Sequence, residues 1–293
     1  MSRRGWLLFG TMSVIWGLPY LLIRVAVRHM DPGVLVFCRT APVGVFLLLV
    51  LLFRGQLRTV IDNARWIVIF GVVEFGIPWF LMSTSERHIT SSLTSLIICA
   101  VPLFSIVAQR FRRTEEHVTR RRLLGLGIGA AGVALLVGLG VSGGSFTWVG
   151  FMLLVCVGYA VGPLILAAKL QHVPSIAVVA GATFSVAVLW SPWALTHWPH
   201  AATAETWASA ATLSVVCTAG AFFVFFELVR EVGATRSVVV TYLNTAIAVV
   251  LGITFLREPL TAAILAGFPL VLVGSVLATT SGTRRESVGL EVA

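Results

Sequence analysis

Long apolar runs separated by short polar intervals set the pattern of this chain. The runs lie at about 6–27, 34–53, 66–85, 90–109, 123–141, 147–168, 175–196, 207–228, 236–256 and 261–280. A helix needs about 20 mainly apolar residues to cross a bilayer, and each run is of that length. Strands are excluded, because an isolated strand would leave its backbone polar groups unsatisfied in lipid. The pattern therefore predicts ten membrane-spanning helices. The two weakest divisions are those of 66–85 from 90–109 and of 207–228 from 236–256, where the separating intervals are short.

The second five runs resemble the first five. SLIICAVPLFSIVAQRF (Ser95 to Phe111) sets against VVVTYLNTAIAVVLGITF (Val238 to Phe255) at an offset of about 143. Glu115 then meets Glu258. After one inserted residue, Gly125 meets Gly267 and Gly132 meets Gly274. Near the two openings, Trp16-Gly17 sets against Tyr159-Ala160 and Pro32 against Pro174. Five is odd, so the second set enters the membrane from the opposite side. The expected fold is an all-α integral membrane protein of ten helices in two inverted five-helix repeats, residues 1–141 and 146–280, with a cytoplasmic tail at 281–293. Inverted repeats of this kind recur in secondary transporters, with a substrate site near the midplane.

Composition agrees with this reading. Of 293 residues, 58% are apolar and 11% charged, and the mean hydropathy is +0.97. A soluble domain carries about 25% charged residues, so a conventional wetted surface is excluded. The run beginning at Trp6 lacks a cleavage site of small residues and reads as a retained helix rather than a signal peptide. Cys38, Cys99, Cys156 and Cys217 lie inside apolar runs, with neither disulfide nor metal spacing.

The net charge of +9 sits in the intervals, which argues against nucleic acid and in favour of a topology signal. With the N-terminus inside, the cytoplasmic intervals hold Arg3, Arg4, Arg54, Arg58, Arg65, Arg110, Arg112, Arg113, Arg120, Arg121, Arg122, Lys169, Arg230, Arg236, Arg284 and Arg285. The opposite side holds Arg28, Arg87 and Arg257, and cytoplasmic loops are the ones enriched in Lys and Arg. Both termini are expected in the cytoplasm. Trp148, Trp193, Trp198 and Trp207 lie near span ends, as interfacial aromatics do.

Several segments resemble the drug/metabolite transporter superfamily, and within it the ten-helix EamA-type permeases. They are WGLPYLLIRVAV (Trp16 to Val27), PGVLVFCRTAPV (Pro32 to Val43), SSLTSLIICAVPLFSIV (Ser91 to Val107) and LREPLTAAILAGFPLVLVGSVL (Leu256 to Leu277). The closing turn reads Arg257-Glu258-Pro259 where family members often carry Gly-Glu-Pro. Asn244-Thr245 stands where a Glu-Pro pair is common. The resemblance implies a bacterial inner-membrane permease that exports amino acids, other metabolites or toxic compounds through one central cavity. Its motifs mark fold and topology rather than substrate.

Glu74 is the costliest residue, near the middle of the third run in GVVEFGIPWF. A charge at a helix centre costs roughly 2.5–3.5 kcal/mol on insertion scales. It is either a proton-coupling or amine-binding carboxylate, or the structural partner of Arg39 or Arg24, or a protonated carboxyl bonded to a neighbouring backbone. Trp16, Tyr20 and Arg24 share one stripe of the first helix. Arg24 lies a turn from the span end, where it can snorkel to the headgroups. Arg39, deeper in the second span, is divided between cavity and structural pairing. Ser95 on the fourth span and Asn244 on the ninth offer polar groups from equivalent helices, although small polar residues also serve as ordinary glue between membrane helices. Trp79, Tyr159 and Tyr242 could wall a cavity or simply pack. The candidate substrate-binding set is Trp16, Tyr20, Arg39, Glu74, Trp79, Ser95, Tyr159, Tyr242 and Asn244, with Glu74 the proton-coupling candidate.

Glycines on the fifth and tenth spans point to close helix packing, inside the fold or across a homodimer. No P-loop, H-E-x-x-H or paired acidic cluster lies within the spans. Neither metal nor cofactor is expected, and uphill transport would draw on an ion or substrate gradient. Rival readings are a sugar-phosphate or nucleotide-sugar exchanger, which would want several cations facing the cavity, a membrane enzyme acting on lipid substrates, and a lipid flippase or scaffold. The expected partners are a small-molecule metabolite or amino acid and the bilayer itself.

Overall fold

The computed structural model describes residues 2–111, 120–140, 145–233, 237 and 240–279. The charged segment at 112–119 and the tail at 281–293 lie outside the described residues. All regular elements among those described are helices. Seven are long and apolar enough to cross a membrane: α1 Arg3–Ala26, α2 Pro32–Phe53, α3 Ala64–Ser85, α4 Ser91–Gln109, α6 Phe146–Leu170, α7 Ser175–Thr196 and α8 Ala204–Val232. Three further apolar helices complete the bundle: α5 Arg120–Gly140, with its apolar stretch at Leu123–Leu136, α9 Val240–Leu256 and α10 Ala262–Thr279. The chain is a multi-pass membrane protein.

Local chemistry explains where the helices begin and stop. Ser2, Asp31, Thr90 and Thr203 each accept a backbone N–H of the first turn they precede, at the starts of α1, α2, α4 and α8. Such caps satisfy donors that the helix itself cannot. Pro32 opens α2 at a position where its missing N–H costs nothing. Gly55 and Gly233 follow α2 and α8 with φ of 66° and 83°, positive values that glycine adopts without strain.

Two helix pairs form the longest seams, α5 with α10 and α2 with α7. Around them α1 packs on α8 and α9, α6 on α3 and α4, α3 on α7, α2 on α8, and α4 on α9. Exchanging the first five helices with the second five maps each of these principal pairings onto itself or onto another of the same set. A π-helical turn at Val72–Gly76 in α3 recurs at Val215–Gly220 in α8, again at the offset of about 143. Each turn sits in front of the partner repeat's second helix. A Cβ on Gly71 would stand 2.8 Å from the Ala182 carbonyl of α7. At the equivalent crossing, Ser214 Oγ donates to the Arg39 carbonyl of α2 at 3.1 Å.

The glycine seams are internal. A Cβ on Gly44 would lie 2.6 Å from the Phe184 nitrogen, closing α2 on α7. Gly132 would meet the Val271 nitrogen at 2.7 Å, and Gly274 would meet the backbone of Gly129. The fifth- and tenth-span glycines thus bring α5 and α10 together inside the chain. One large apolar core runs through the bundle, and a smaller cluster of Phe9, Met12, Ile15, Ala221, Leu228 and Val240 joins α1, α8 and α9. An apolar groove on the outside of α2, α3 and α7 is lined by Leu48, Val60, Ile67, Val72 and Phe184. It carries almost no polar surface.

Candidate functional site

Within the main core, α2, α3, α6 and α8 bring five polar or aromatic groups to one place, and α1 adds a sixth. Arg39 projects from α2 and is 7% exposed. Its guanidinium carbon lies 3.5 Å above the Trp79 ring, a cation–π contact with α3. Its Nε donates to Thr218 Oγ1 at 2.9 Å, and that hydroxyl in turn donates to the Leu213 carbonyl at 2.9 Å. The π turn in α8 shifts the backbone register here, so Thr218 serves a carbonyl of its own helix and the arginine together. A bond through Nε fixes the plane of the guanidinium and directs its Nη1/Nη2 edge elsewhere.

Glu74 sits on the π turn of α3. Its Oε2 is fully buried and has no hydrogen-bond partner. It presses against Gly162 of α6, where a Cβ would collide with the carboxylate. The Tyr159 side chain of α6 lies beside Trp79 and within electrostatic reach of both Glu74 and Arg39. Tyr20 of α1, 6% exposed, stands near Tyr159 and extends the cluster toward the α3–α4 loop. Among the described residues no ion pair joins Glu74 to Arg39 or Arg24. The structural-pairing alternative for Glu74 therefore has no support, and a buried carboxyl oxygen without a partner is costly to retain for packing alone.

Of the nine sequence candidates, the structure gathers Tyr20, Arg39, Glu74, Trp79 and Tyr159. Of the other four, Trp16, Ser95 and Asn244 make contacts elsewhere. Trp16 packs its ring 5.0 Å from Phe225 in the smaller α1–α8 cluster. The stripe shared with Tyr20 and Arg24 is real on the helix, but three different neighbours divide it. Ser95 is fully buried and donates to its own helix at Ser92 O, 2.8 Å away. Asn244 accepts from Thr245 at 3.3 Å, and its backbone carbonyl faces Gly17 of α1. Tyr242 is half-buried against the main core.

Arg24 departs from the snorkelling expectation. Its Nη1 donates to the carbonyls of Glu86 and Ile89, the latter at 3.3 Å. A helix end leaves carbonyls without intrahelical partners, and the end of α3 lies within reach. Sequence reasoning missed Thr218, Ser214 and Glu86. The first two look like ordinary small polar residues of a membrane helix, and Glu86 falls in a short interval where burial leaves no mark on the sequence.

The fourth helix is discontinuous. It runs Ser91–Ile98, turns at Cys99-Ala100 and resumes at Val101. Pro102 lacks the N–H that would close the turn on Ile98. The loosened backbone is held from outside: Cys156 Sγ lies 3.4 Å from Ile97 O, and Ser275 Oγ donates to Cys99 O at 3.2 Å. Among the described residues, no three His, Cys, Asp or Glu side chains group as metal ligands.

Comparison with known proteins places this geometry in context. The pattern of the EamA-like transporter family matches residues 3–138 and again residues 146–280. The uncharacterized transporter YvbV of Bacillus subtilis is 25% identical over 98% of this chain and 95% of its own length. A protein of Salmonella typhimurium named "Probable amino-acid metabolite efflux pump" is 26% identical, over 64% of this chain and 62% of its own. The uncharacterized inner membrane transporter YedA of Escherichia coli is 28% identical over 44% of this chain and 43% of its own. A crystal structure of another protein shares the fold across 95% of this chain and 98% of that one, with a TM-score of 0.64 and 19% identity.

Proposed function

The chain belongs to the EamA-like transporter family, and from that premise we propose that it is a secondary permease exporting amino acids or similar small metabolites across the bacterial inner membrane by alternating access. The seven long helices and the three further ones each cross once, as two inverted five-helix repeats with both termini in the cytoplasm. The exchange of helix neighbours between the halves and the paired π turns support that arrangement. So do the two successive matches to one family pattern.

One observation carries the substrate reading. A clamped guanidinium and an unpartnered carboxyl oxygen both lie within electrostatic reach of Tyr159 in the core. Groups of opposite charge in one buried cluster suit a zwitterion, with its carboxylate at Arg39 and its ammonium at Glu74. Trp79 and Tyr159 would wall the site. A sugar phosphate would call for several cations, and Arg24 is engaged with loop carbonyls instead.

The test uses purified full-length protein and a panel of amino acids, each with its decarboxylated amine and its deaminated acid. Wild-type protein should prefer the zwitterion to both analogues. Arg39→Gln should lose the preference over the amine, and Glu74→Gln the preference over the acid. Removing one partner of a desolvated charge pair costs about 2–5 kcal/mol, so each loss should be roughly 30-fold or more in Kd. Equal wild-type affinity for zwitterion, amine and acid throughout the panel removes the reading.

A further inference from the structure

Glu86 ends α3 on the side of the bundle opposite the N-terminus, and its burial is out of keeping with its position. It is 0% exposed, and neither carboxyl oxygen has a hydrogen-bond partner. Arg24 does not serve it; that guanidinium donates to the backbone carbonyls of Glu86 and Ile89. A second carboxyl group stands nearby, on Glu258 in the α9–α10 turn. Glu258 accepts from Ser91 N at 2.7 Å, Ser92 N at 3.0 Å and Ser92 Oγ at 2.5 Å, and so caps the start of α4. An anion belongs at such a helix N-terminus. Ser91 Oγ, also 0% exposed, is a further buried group without a partner. Ser91 Oγ, Ser92 Oγ and Glu258 Oε2 converge over Gly252, where a Cβ would stand 3.0, 2.6 and 2.6 Å from them.

We propose that Glu86 is a proton-binding gate acid, protonated while this end of the permease is closed, whose deprotonation separates the start of α4 from the α9–α10 turn. The proposal rests on the alternating-access reading but not on the zwitterion assignment. The groups around Glu86 are Arg24 and Tyr20 on α1 and Glu258 in the α9–α10 turn. On its own loop, Arg87 donates to Val27 O and Met30 O, and His88 stacks on Trp148 at 3.7 Å. Neither neighbour on that loop hydrogen-bonds the carboxyl. A neutral acid fits a closed site of this kind. A second carboxylate there would face Glu258 with no donor of its own, and the repulsion would fall between the elements that Glu258 joins. The proton leaves to water on the outer side and returns from it.

Burial holds the Glu86 carboxyl well above the usual carboxylate range, the charge of Arg24 opposes the rise, and Glu258 adds to it. The closed form therefore binds more protons than the open one, and its population falls as outer pH rises. Tyr20 lies within electrostatic reach of both Glu86 and Tyr159, so the gate adjoins the central cluster.

The experiment is labelling of Ile89→Cys with a membrane-impermeant maleimide, in full-length protein without its native cysteines, reconstituted without substrate. Ile89 is 5% exposed beneath this closure. Rates are referred to Arg28→Cys, an exposed position on the same side, which corrects for thiol ionisation. From about pH 5.5 to about pH 8.5 the corrected rate should rise several-fold. Adding Glu86→Gln should leave it low and flat. Adding Gly252→Ala, whose methyl group wedges the Ser91–Ser92–Glu258 contact, should raise it at the acid end. A flat wild-type profile overturns the proposal, as does an unchanged pH rise in the Glu86→Gln background. If Glu86→Gln does not fold, the wild-type profile and Gly252→Ala decide: a low acid-end rate with Gly252→Ala overturns the proposal. The assay reads the gate without any amino acid, so failure of the zwitterion reading leaves it intact.

Discussion

Glu74 and Arg39 share a core without an ion pair between them among the described residues, and this governs what their mutants should do. Glu74→Gln keeps the shape and removes the titratable group. Because no arginine is left without its partner, the cost in stability should stay below about 1 kcal/mol, read as a nearly unchanged unfolding midpoint in detergent. Under proton coupling, the same variant should lose proton-driven accumulation while retaining exchange down a substrate gradient. A large fall in the midpoint would mean that Glu74 holds a structural partner after all. Normal pH-dependent transport by a stable variant would remove its coupling role. Arg39 is the residue where a conservative exchange should fail. Lysine cannot lie flat on Trp79 while donating sideways to Thr218, because only the guanidinium is planar with fixed donor directions.

Two elements carry predictions of their own. At the α2–α7 seam, a methyl group on Gly44 meets the Phe184 backbone rather than a movable side chain. Gly44→Ala should therefore force the helices apart and cost about 1–3 kcal/mol, the usual range for overpacking. Gly10→Ala is the control: a Cβ there meets nothing within 4 Å, and the gain in helix propensity should leave stability unchanged or slightly higher. In α4, Pro102→Ala restores the missing N–H and should let the helix run through Cys99-Ala100. We expect a protein at least as stable as wild type that transports more slowly, since discontinuous helices are the moving parts in transporters of this architecture. Wild-type rates with Pro102→Ala would make the break a packing detail. The ninth helix shows the contrast: Thr245 stands where Pro102 stands in the fourth and bonds back to Thr241 O at 2.9 Å, and α9 is continuous.

Across the whole molecule, the proposed site lies where the halves differ. At the offset of about 143, Arg39 is matched by Ala182, Glu74 by Cys217, and Trp79 by Phe222. The backbone plan is common to both halves, and the chemistry is confined to one copy of each pair. The topology expected from the arginines is tested at Gln56 and Ser145. In intact cells without native cysteines, an impermeant maleimide should label Ser145→Cys and spare Gln56→Cys. The reverse result inverts the orientation, and labelling of both would break the odd number of crossings between them.

The sequence by itself determined the membrane class, the apolar runs and the short list of expensive residues, because each follows from transfer energies that act residue by residue. An apolar run of about twenty residues means the same thing wherever it packs, and a carboxyl inside one is costly in any fold. The family likeness was legible for the same reason, in Leu256–Leu277 above all, where turn, glycine spacing and apolar run lie in one continuous segment. Only the tertiary structure decided which polar groups meet. Tyr20 and Trp16 are one helical turn apart, yet one faces Tyr159 and the other packs on Phe225. Arg24 found the end of α3, Thr218 found Arg39, and Glu86 was buried in a loop that reads as polar. The Thr218 contact depends on how the π turn of α8 sets the register against α2. Such register is a property of neighbouring helices together, and no single segment encodes it.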